Sequence, residues 1–474
     1  MFRQGLGDSF LVTFDYQGPN ECRMLIDCGS LGNKSSPIQT RSIANYLQTI
    51  IDDGKKIDFL VATHEHLDHV SGFRKDLQPV LKENVGAVWL AWTENPQDPD
   101  AQRLKKHQHD LGAALQRVSQ IAPEERWCQN LTSLLEFTDE FVSGIGFAKT
   151  VNSAMEFVRT GTGGKTTYFH PSDMVENQIP GFRVYVLGPP KEDQFLKNLG
   201  SHGSEALYGL MRAIEKSARL HQQELHLERN DTESEPDENI PFDLRFQQSG
   251  SKSLQEQYPT YLKDENAWRR IDSEWLSGSI ELALQLDSLT NNTSLVLAFE
   301  RIADGKVLLF AADAQEGNWL SWHEAKMKWA VTDAAGTPGE VRVSDLLSRT
   351  VFYKVGHHGS HNATAKDKGL ELMTQEDELV AFIPVDRAIA QSRNPQGSWQ
   401  MPARPLYREL LKRCQGRVVR SDLGWAAPAT SSEATESAFL NMESNQQWAQ
   451  WANQQQAATH VSVDDPLFID YVLN

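Results

Sequence analysis

The stretch from Ile57 to Phe73, IDFLVATHEHLDHVSGF, restricts this chain more than any other. The apolar run Phe59 to Ala62 predicts a buried strand that stops at Thr63 and hands the chain to a short loop. That loop carries three histidines and two carboxylates, and His64, His66, Asp68 and His69 fall in the order His-x-His-x-Asp-His. Alternate residues of an extended loop point the same way, so His64 and His66 can serve one metal ion. Asp68 and His69 then face a second position, about 3.5–4 Å off in two-metal sites. A single histidine is usually a surface group or a hydrogen-bonded core residue. Three with an aspartate at these offsets, among only 14 histidines in 474 residues, mark a metal site.

The flanking sequence is that of an α/β protein. Residues 1–93 read as the first half of a core: a turn at Gly5 to Asp8, a strand, the strand RMLIDCGS ending near Asp27, a helix within Ser36 to Gly54, and the strand into His64. A carboxylate at the end of a buried strand, as at Asp27, braces a neighbouring loop, here the histidine loop. Residues 94–180 read as a helical insertion or cap. Within it, KKHQHD with His107 and His109 reads as a solvated face, and GTGGKTTYFHP lacks phosphate-binding spacing and reads as a loop.

Residues 181–190 form a core strand, and 191–277 a polar, acidic insertion with few groups able to pack. Residues 278–425 return to the core. There TSLVLAFE and KVLLFAADA make a hairpin ending on Asp313, and the strand Val351 to Val355 runs into His357, His358, Ser360 and His361. A strand again delivers histidines at its tip. Residues 426–474 are a polar tail with a candidate final strand in DPLFIDYVL.

Composition narrows the function. A net charge of −18 disfavours passive binding of long duplex nucleic acid, which is driven by Lys and Arg neutralising phosphates. Cys22, Cys28, Cys128 and Cys414 lack the spacing of a disulfide framework or a zinc knuckle. The start MFRQGLGDSF lacks an apolar signal run, and no stretch approaches the ~18 apolar residues of a membrane span. The expectation is a cytoplasmic protein with no membrane partner.

In order and spacing, GLGDS, LIDCG, THEHLDH, NNTSLVL, FAADA, YKVGHHGS and the weaker SRNPQGSWQMP resemble the metallo-β-lactamase superfamily. Within it they resemble the hydrolase domain of ComEC-type DNA-uptake proteins and its free-standing relatives. The resemblance implies a four-layer αββα fold carrying the helical and acidic insertions. It implies His64 and His66 on one metal, Asp68 and His69 on a second, Asp313 bridging the two, and either His357 or His358 completing the second site. Asp27 would brace the ligands from behind, with Asp8, Asn292 and Ser360 around them, and Asp68, His358 and His361 would take part in catalysis.

The implied cofactor is Zn²⁺ in a two-metal site, with Mn²⁺ as the alternative. The implied nucleophile is a hydroxide bridging the metals, and the implied reaction is hydrolysis of a phosphodiester. Its substrate would be a nucleotide or a single-stranded nucleic acid. The same fold also serves carboxylic-ester, lactone or amide hydrolysis, and a third reading is a sensor subunit that binds a protein partner through the insertions or tail. Two departures stand out. Gly188 occupies a strand end where relatives commonly place another histidine, for which His170 and His202 are the replacements, and Met401 precedes Pro402 where relatives often carry histidine, for which His361 or Asn394 would substitute.

Overall fold

The computed structural model describes residues 1–15, 18–31, 38–119, 131–132, 135, 148–196, 258–260, 278–332, 336–393, 401–425, 461–462 and 465–473. Two β-sheets lie face to face between layers of helix. The first runs β1 (Ser9–Phe14), β2 (Cys22–Cys28), β3 (Ile57–Ala62), β4 (Val85–Ala91) and β5 (Lys165–Phe169) in that spatial order. Only β1 is antiparallel to its neighbour; β2 to β5 are parallel. Parallel strands carry helices on one face and here a second sheet on the other, which is why β2 and β3 read as nearly unbroken apolar runs.

The second sheet has the order β15-β14-β13-β12-β9-β8-β7-β6. Its strands are β6 (Met174–Ile179), β7 (Phe182–Gly188), β8 (Val296–Arg301), β9 (Val307–Phe310), β12 (Thr350–Lys354), β13 (Val380–Ile383), β14 (Val418–Arg420) and β15 (Gly424–Trp425). Between the sheets, Phe10, Ile26, Val61 and Trp89 pack on Val186, Phe299, Phe310, Phe352 and Phe382. Each such side chain contributes about 1.5–3 kcal/mol when fully buried.

On the outer face of the first sheet, Leu25, Leu60 and Val88 meet Ile43 and Leu47 of α1 (Thr40–Asp52). The four-residue spacing of Ile43 and Leu47 puts both on one helical face, and α1 stops before Gly54, whose φ is +77°. Short helices α2 (Leu67–Val70) and α3 (Gln78–Leu81) follow β3, and α4 (Pro99–Ser119) and α5 (Ala148–Glu156) follow β4.

Past β7 come α6 (Asp193–Leu196) and α7 (Gly278–Asn291). On the outer face of the second sheet, Tyr185, Leu309 and Tyr353 meet Trp319 of α8 (Glu316–Ser321), Leu346 of α9 (Val343–Ser348) and Leu410 of α11 (Arg404–Arg413); α10 spans Arg387–Arg393. The layers are helix, sheet, sheet, helix, the αββα fold expected.

Two expectations change. The run GTGGKTTYFHP is not a loop: Lys165–Phe169 is β5, paired in parallel with Ala87–Ala91 of β4. Thr166, Thr167, Tyr168 and Phe169 are strand formers, but Gly163 and Gly164 before them mask the pattern. The next strand, β6, also falls inside the stretch expected to be helical and pairs with β7, so the chain crosses from one sheet to the other between His170 and Met174. An unforeseen hairpin, β10 (Lys328–Thr332) with β11 (Pro338–Arg342), precedes α9. In DPLFIDYVL only β17 (Asp470–Tyr471) forms, against β16 (Val461–Ser462). His202, Asn394 and most of the acidic insertion and tail lie outside the described residues. Among the described residues no helix is long and apolar enough to cross a membrane.

Gly188 has a packing reason. A Cβ there would lie 2.2 Å from Asn318 Oδ1, and the Asn318 amide donates to the carbonyls of Asn292 (3.2 Å) and Ser294 (3.3 Å). No side chain fits at that strand end while Asn318 holds the approach to β8. We expect Gly188→Ala to lower stability by about 1–3 kcal/mol in urea denaturation, as overpacking does; an unchanged midpoint would contradict the close approach.

Candidate metal centre

The parallel pairs β2/β3 and β9/β12 bring four strand ends to one place, and the side chains beyond them meet. Asp27, at the end of β2 with φ +55°, accepts the Thr63 N–H on Oδ1 (2.8 Å) and the Thr63 hydroxyl on Oδ2 (2.7 Å). The same Oδ2 lies 2.8 Å from His69 Nδ1. Asp27 thus braces the histidine loop, and an N–H on His69 Nδ1 leaves Nε2 bare. That Nε2 is 3.1 Å from Asp313 Oδ2 and 3.7 Å from Asp68 Oδ2.

Asp68 in turn meets His358, whose Nε2 is 2.7 Å from its Oδ2 and whose Nδ1 is 2.6 Å from the Pro384 carbonyl. One ligand atom from each of Asp68, His69, Asp313 and His358 falls within 4.8 Å of the others, and all four residues are buried. Atoms bound tetrahedrally to one Zn²⁺ at about 2.0–2.2 Å lie about 3.3–3.6 Å apart, so the cluster is of the right size.

Two observations test whether a cation fits. Asp68 Oδ1, His69 Nε2 and Asp313 Oδ2 are buried without a hydrogen-bond partner. Each such atom costs about 1–3 kcal/mol, and all three belong to residues of the cluster. The field there favours positive charge: burial opposes a proton on His69, yet Asp313, Asp8, Asp68 and Asp27 hold its pKa well above the ordinary value. Two imidazoles and two carboxylates are the donors of a divalent transition metal.

His64 and His66 sit beside this cluster. His64 Nε2 is 3.1 Å from His66 Nδ1, so the two nitrogens turn to a common point, while His64 Nδ1 is held by the hydroxyls of Thr63 (3.2 Å) and Ser294 (3.4 Å). Burial, reinforced by neighbouring histidines, keeps His64 well below its ordinary pKa, and burial also lowers His66, to about 4. Both are neutral, as ligation requires.

The sequence leaves His357 and His358 equivalent; the backbone separates them. Both have positive φ, 42° and 53°, a conformation costing about 1–3 kcal/mol per non-glycine residue. The turn aims His358 at Asp68, whereas His357 lies outside the four-residue cluster, its Nδ1 between Ser360 Oγ (3.1 Å) and Gln315 Nε2 (3.3 Å). Asn292 supports from further out: its Oδ1 accepts the N–H groups of Gln315 (3.3 Å) and Asn318 (3.2 Å) at the start of α8. His361, expected in catalysis, is exposed. Met401 is buried in the outer core, two residues before Ala403, whose N–H donates to the Gly359 carbonyl (2.8 Å). His170 stacks on Trp92 (rings 8° apart) and joins no metal-capable group among the described residues.

Lys354 escaped the sequence reading. It is 1 % exposed, donates to the Ala312 carbonyl (2.7 Å), lies 3.3 Å from Asp313 Oδ1 and pairs with Asp8 Oδ2. The visible sign was a lysine in the otherwise apolar strand VFYKV. Burial pushes the Asp8 carboxyl up to about 6, against the opposing pull of Lys354 and His69. The Asp8 N–H donates to the Asp68 carbonyl (2.9 Å), and a Cβ on Gly29 would lie 2.1 Å from the Asp68 carbonyl carbon. The glycines of GLGDS and LIDCG let the ligand loop press on its neighbours.

A sequence model described as the metallo-beta-lactamase superfamily matches residues 3–128. The chain has the metallo-β-lactamase fold. The match supports the superfamily and covers the strands that carry Asp8, Asp27 and the histidine loop. No curated protein gives a significant match. The fold implies divalent-metal binding, and the four-residue cluster is one that could hold the ion.

Metal-free protein titrated with Zn²⁺ or Mn²⁺ is expected to melt at higher temperature, the gain in stability being about 2.7 kcal/mol at a free concentration 100 times Kd, and Asp313→Ala to lose most of that gain. Lys354→Met is expected to cost about 3–5 kcal/mol in chemical denaturation of the metal-free protein, because it leaves Asp8 and Asp313 buried without their cation.

Proposed function

We propose that this metal-dependent hydrolase cleaves phosphodiester bonds, in nucleotides or short single-stranded nucleic acid, with Zn²⁺ or Mn²⁺. The observation that carries the reading is the donor set: Asp68, Asp313, His69 and His358 around one point, with the His64 and His66 pair beside it. Mixed imidazole and carboxylate donor sets suit divalent transition metals, which in pairs act on phosphoryl groups, and the resemblance to ComEC-type domains points the same way. When bound, such cations supply Lewis acidity and lower the pKa of water to near neutrality.

The chain's own residues supply orientation. Asp27 fixes His69, Pro384 fixes His358, and Lys354 occupies Asp313 Oδ1 so that Oδ2 is the oxygen left for the metal. Burial holds His357 at about 4, so its imidazole is neutral and can donate one hydrogen bond to a substrate oxygen beside the metals. The net charge of −18 supports small or single-stranded substrates over long duplex. Cytoplasmic location, as read from the sequence, fits a nucleotide substrate.

Metal-loaded protein is expected to hydrolyse bis(p-nitrophenyl) phosphate faster than p-nitrophenyl acetate, with Asp68→Ala reducing phosphodiester turnover at least 100-fold. Ester turnover alone would assign carboxylic-ester chemistry to the same metals. No turnover of either substrate, in protein shown to hold metal, would overturn the hydrolase reading in favour of a partner-binding subunit.

A further inference from the structure

His69, His358 and His64 each have a hydrogen-bonding group behind the ring, and His66 differs from them. His69 Nδ1 is held by Asp27 (2.8 Å), His358 Nδ1 by the Pro384 carbonyl (2.6 Å) and His64 Nδ1 by two hydroxyls. With His66 Nδ1 facing His64, the outer nitrogen is Nε2, which is buried and has no hydrogen-bond partner. The nearest acidic oxygen is Asp287 Oδ1, 4.0 Å away, from the last turns of α7.

Asp287 is itself placed with care. The amide of Asn291, one turn on, donates to Asp287 Oδ2 (3.1 Å), and Asn291 Oδ1 is buried without a partner and adjoins the His66 ring. Thr290 on the same turn accepts from Gln108 of α4 (3.1 Å), which pins α7 to the helical insertion. Residues 287, 290 and 291 share one helical face. The same insertion holds the residue before His66: Lys105 of α4 pairs with Glu65 and also donates to buried Glu94 (2.9 Å).

We propose that Asp287 is the positioning residue of the first metal, orienting His66 through its outer nitrogen as Asp27 orients His69. This rests on the two-metal reading. The first position needs such help more than the second, because Gly188 against Asn318 leaves no room for a third histidine at the end of β7. With two imidazoles in place of three, the orientation of each weighs more in the affinity. Helix α7 therefore couples the helical insertion to occupancy of that metal. Asp287 touches no reacting atom; it acts through His66.

The test is metal binding, read by equilibrium dialysis with elemental analysis and by competition with a chromophoric zinc chelator. Wild type is compared with Asp287→Ala, with Asp287→Asn, which keeps an acceptor oxygen, and with His66→Ala. Wild type is expected to hold two Zn²⁺ per chain. Asp287→Ala should weaken one of them by about 10–100-fold and leave the other unchanged, the loss typical of removing a partner behind a metal-bound histidine. His66→Ala should lose the same equivalent, Asp287→Asn should fall between, and the metal-free melting temperature of Asp287→Ala should match wild type. Two sites of unchanged affinity in Asp287→Ala would overturn the role of Asp287 while leaving the metal centre intact. Fewer than two sites in wild type would overturn the two-metal reading and this inference with it.

Discussion

Four carboxylates, those of Asp8, Asp27, Asp68 and Asp313, are buried together at one sheet edge, none more than 2 % exposed. Isolated charges in such surroundings would be neutralised or expelled. What makes the arrangement tenable is cationic or proton-donating groups placed among them: Lys354 between Asp8 and Asp313, and the imidazoles of His69 and His358 against Asp27 and Asp68. Even so, oxygens of Asp68 and Asp313 stay unpartnered, and this residual demand for positive charge is what a divalent ion meets. The two sheets can be read as the frame that keeps these groups together.

That frame works because each strand has a separate duty at its tip. β2 ends at the brace, β3 at the histidine loop, β9 at the aspartate that can bridge, and β12 at the double-histidine turn. Parallel pairing places these tips on the same edge without any of the strands needing polar residues inside the sandwich. Local strain follows: Asp27, Ala312, His357 and His358 all adopt positive φ. Conformations of that kind persist only where surrounding contacts over-determine them, and here they cluster around the metal point.

The helical insertion is not an ornament on this frame. α4 reaches Glu65 through Lys105, α7 reaches towards His66 through Asp287, and Gln108 joins the two helices. The histidine loop is therefore flanked by the sheets and by α4 of the helical insertion together with α7.

By itself the sequence determined a good deal. The apolar runs, their turn residues and the spacing of THEHLDH, FAADA and GHHGS were enough for the layered α/β fold and for singling out the residues that the structure gathers into the four-residue cluster, because these depend on local pattern and on side chains only one to four positions apart. What it obscured is equally local in origin: β5 hid behind two glycines, and β6 was lost in a stretch that reads as helical. Only the tertiary structure decided between His357 and His358, since their types and neighbours are alike and a pair of positive φ angles sets which one meets Asp68. Only it revealed why Gly188 is glycine, and only it brought Lys354 to Asp8 and Asp287 to His66, pairs separated by more than 200 residues of chain. Contacts of that kind leave no periodicity to read, because they are fixed by how the sheets stack.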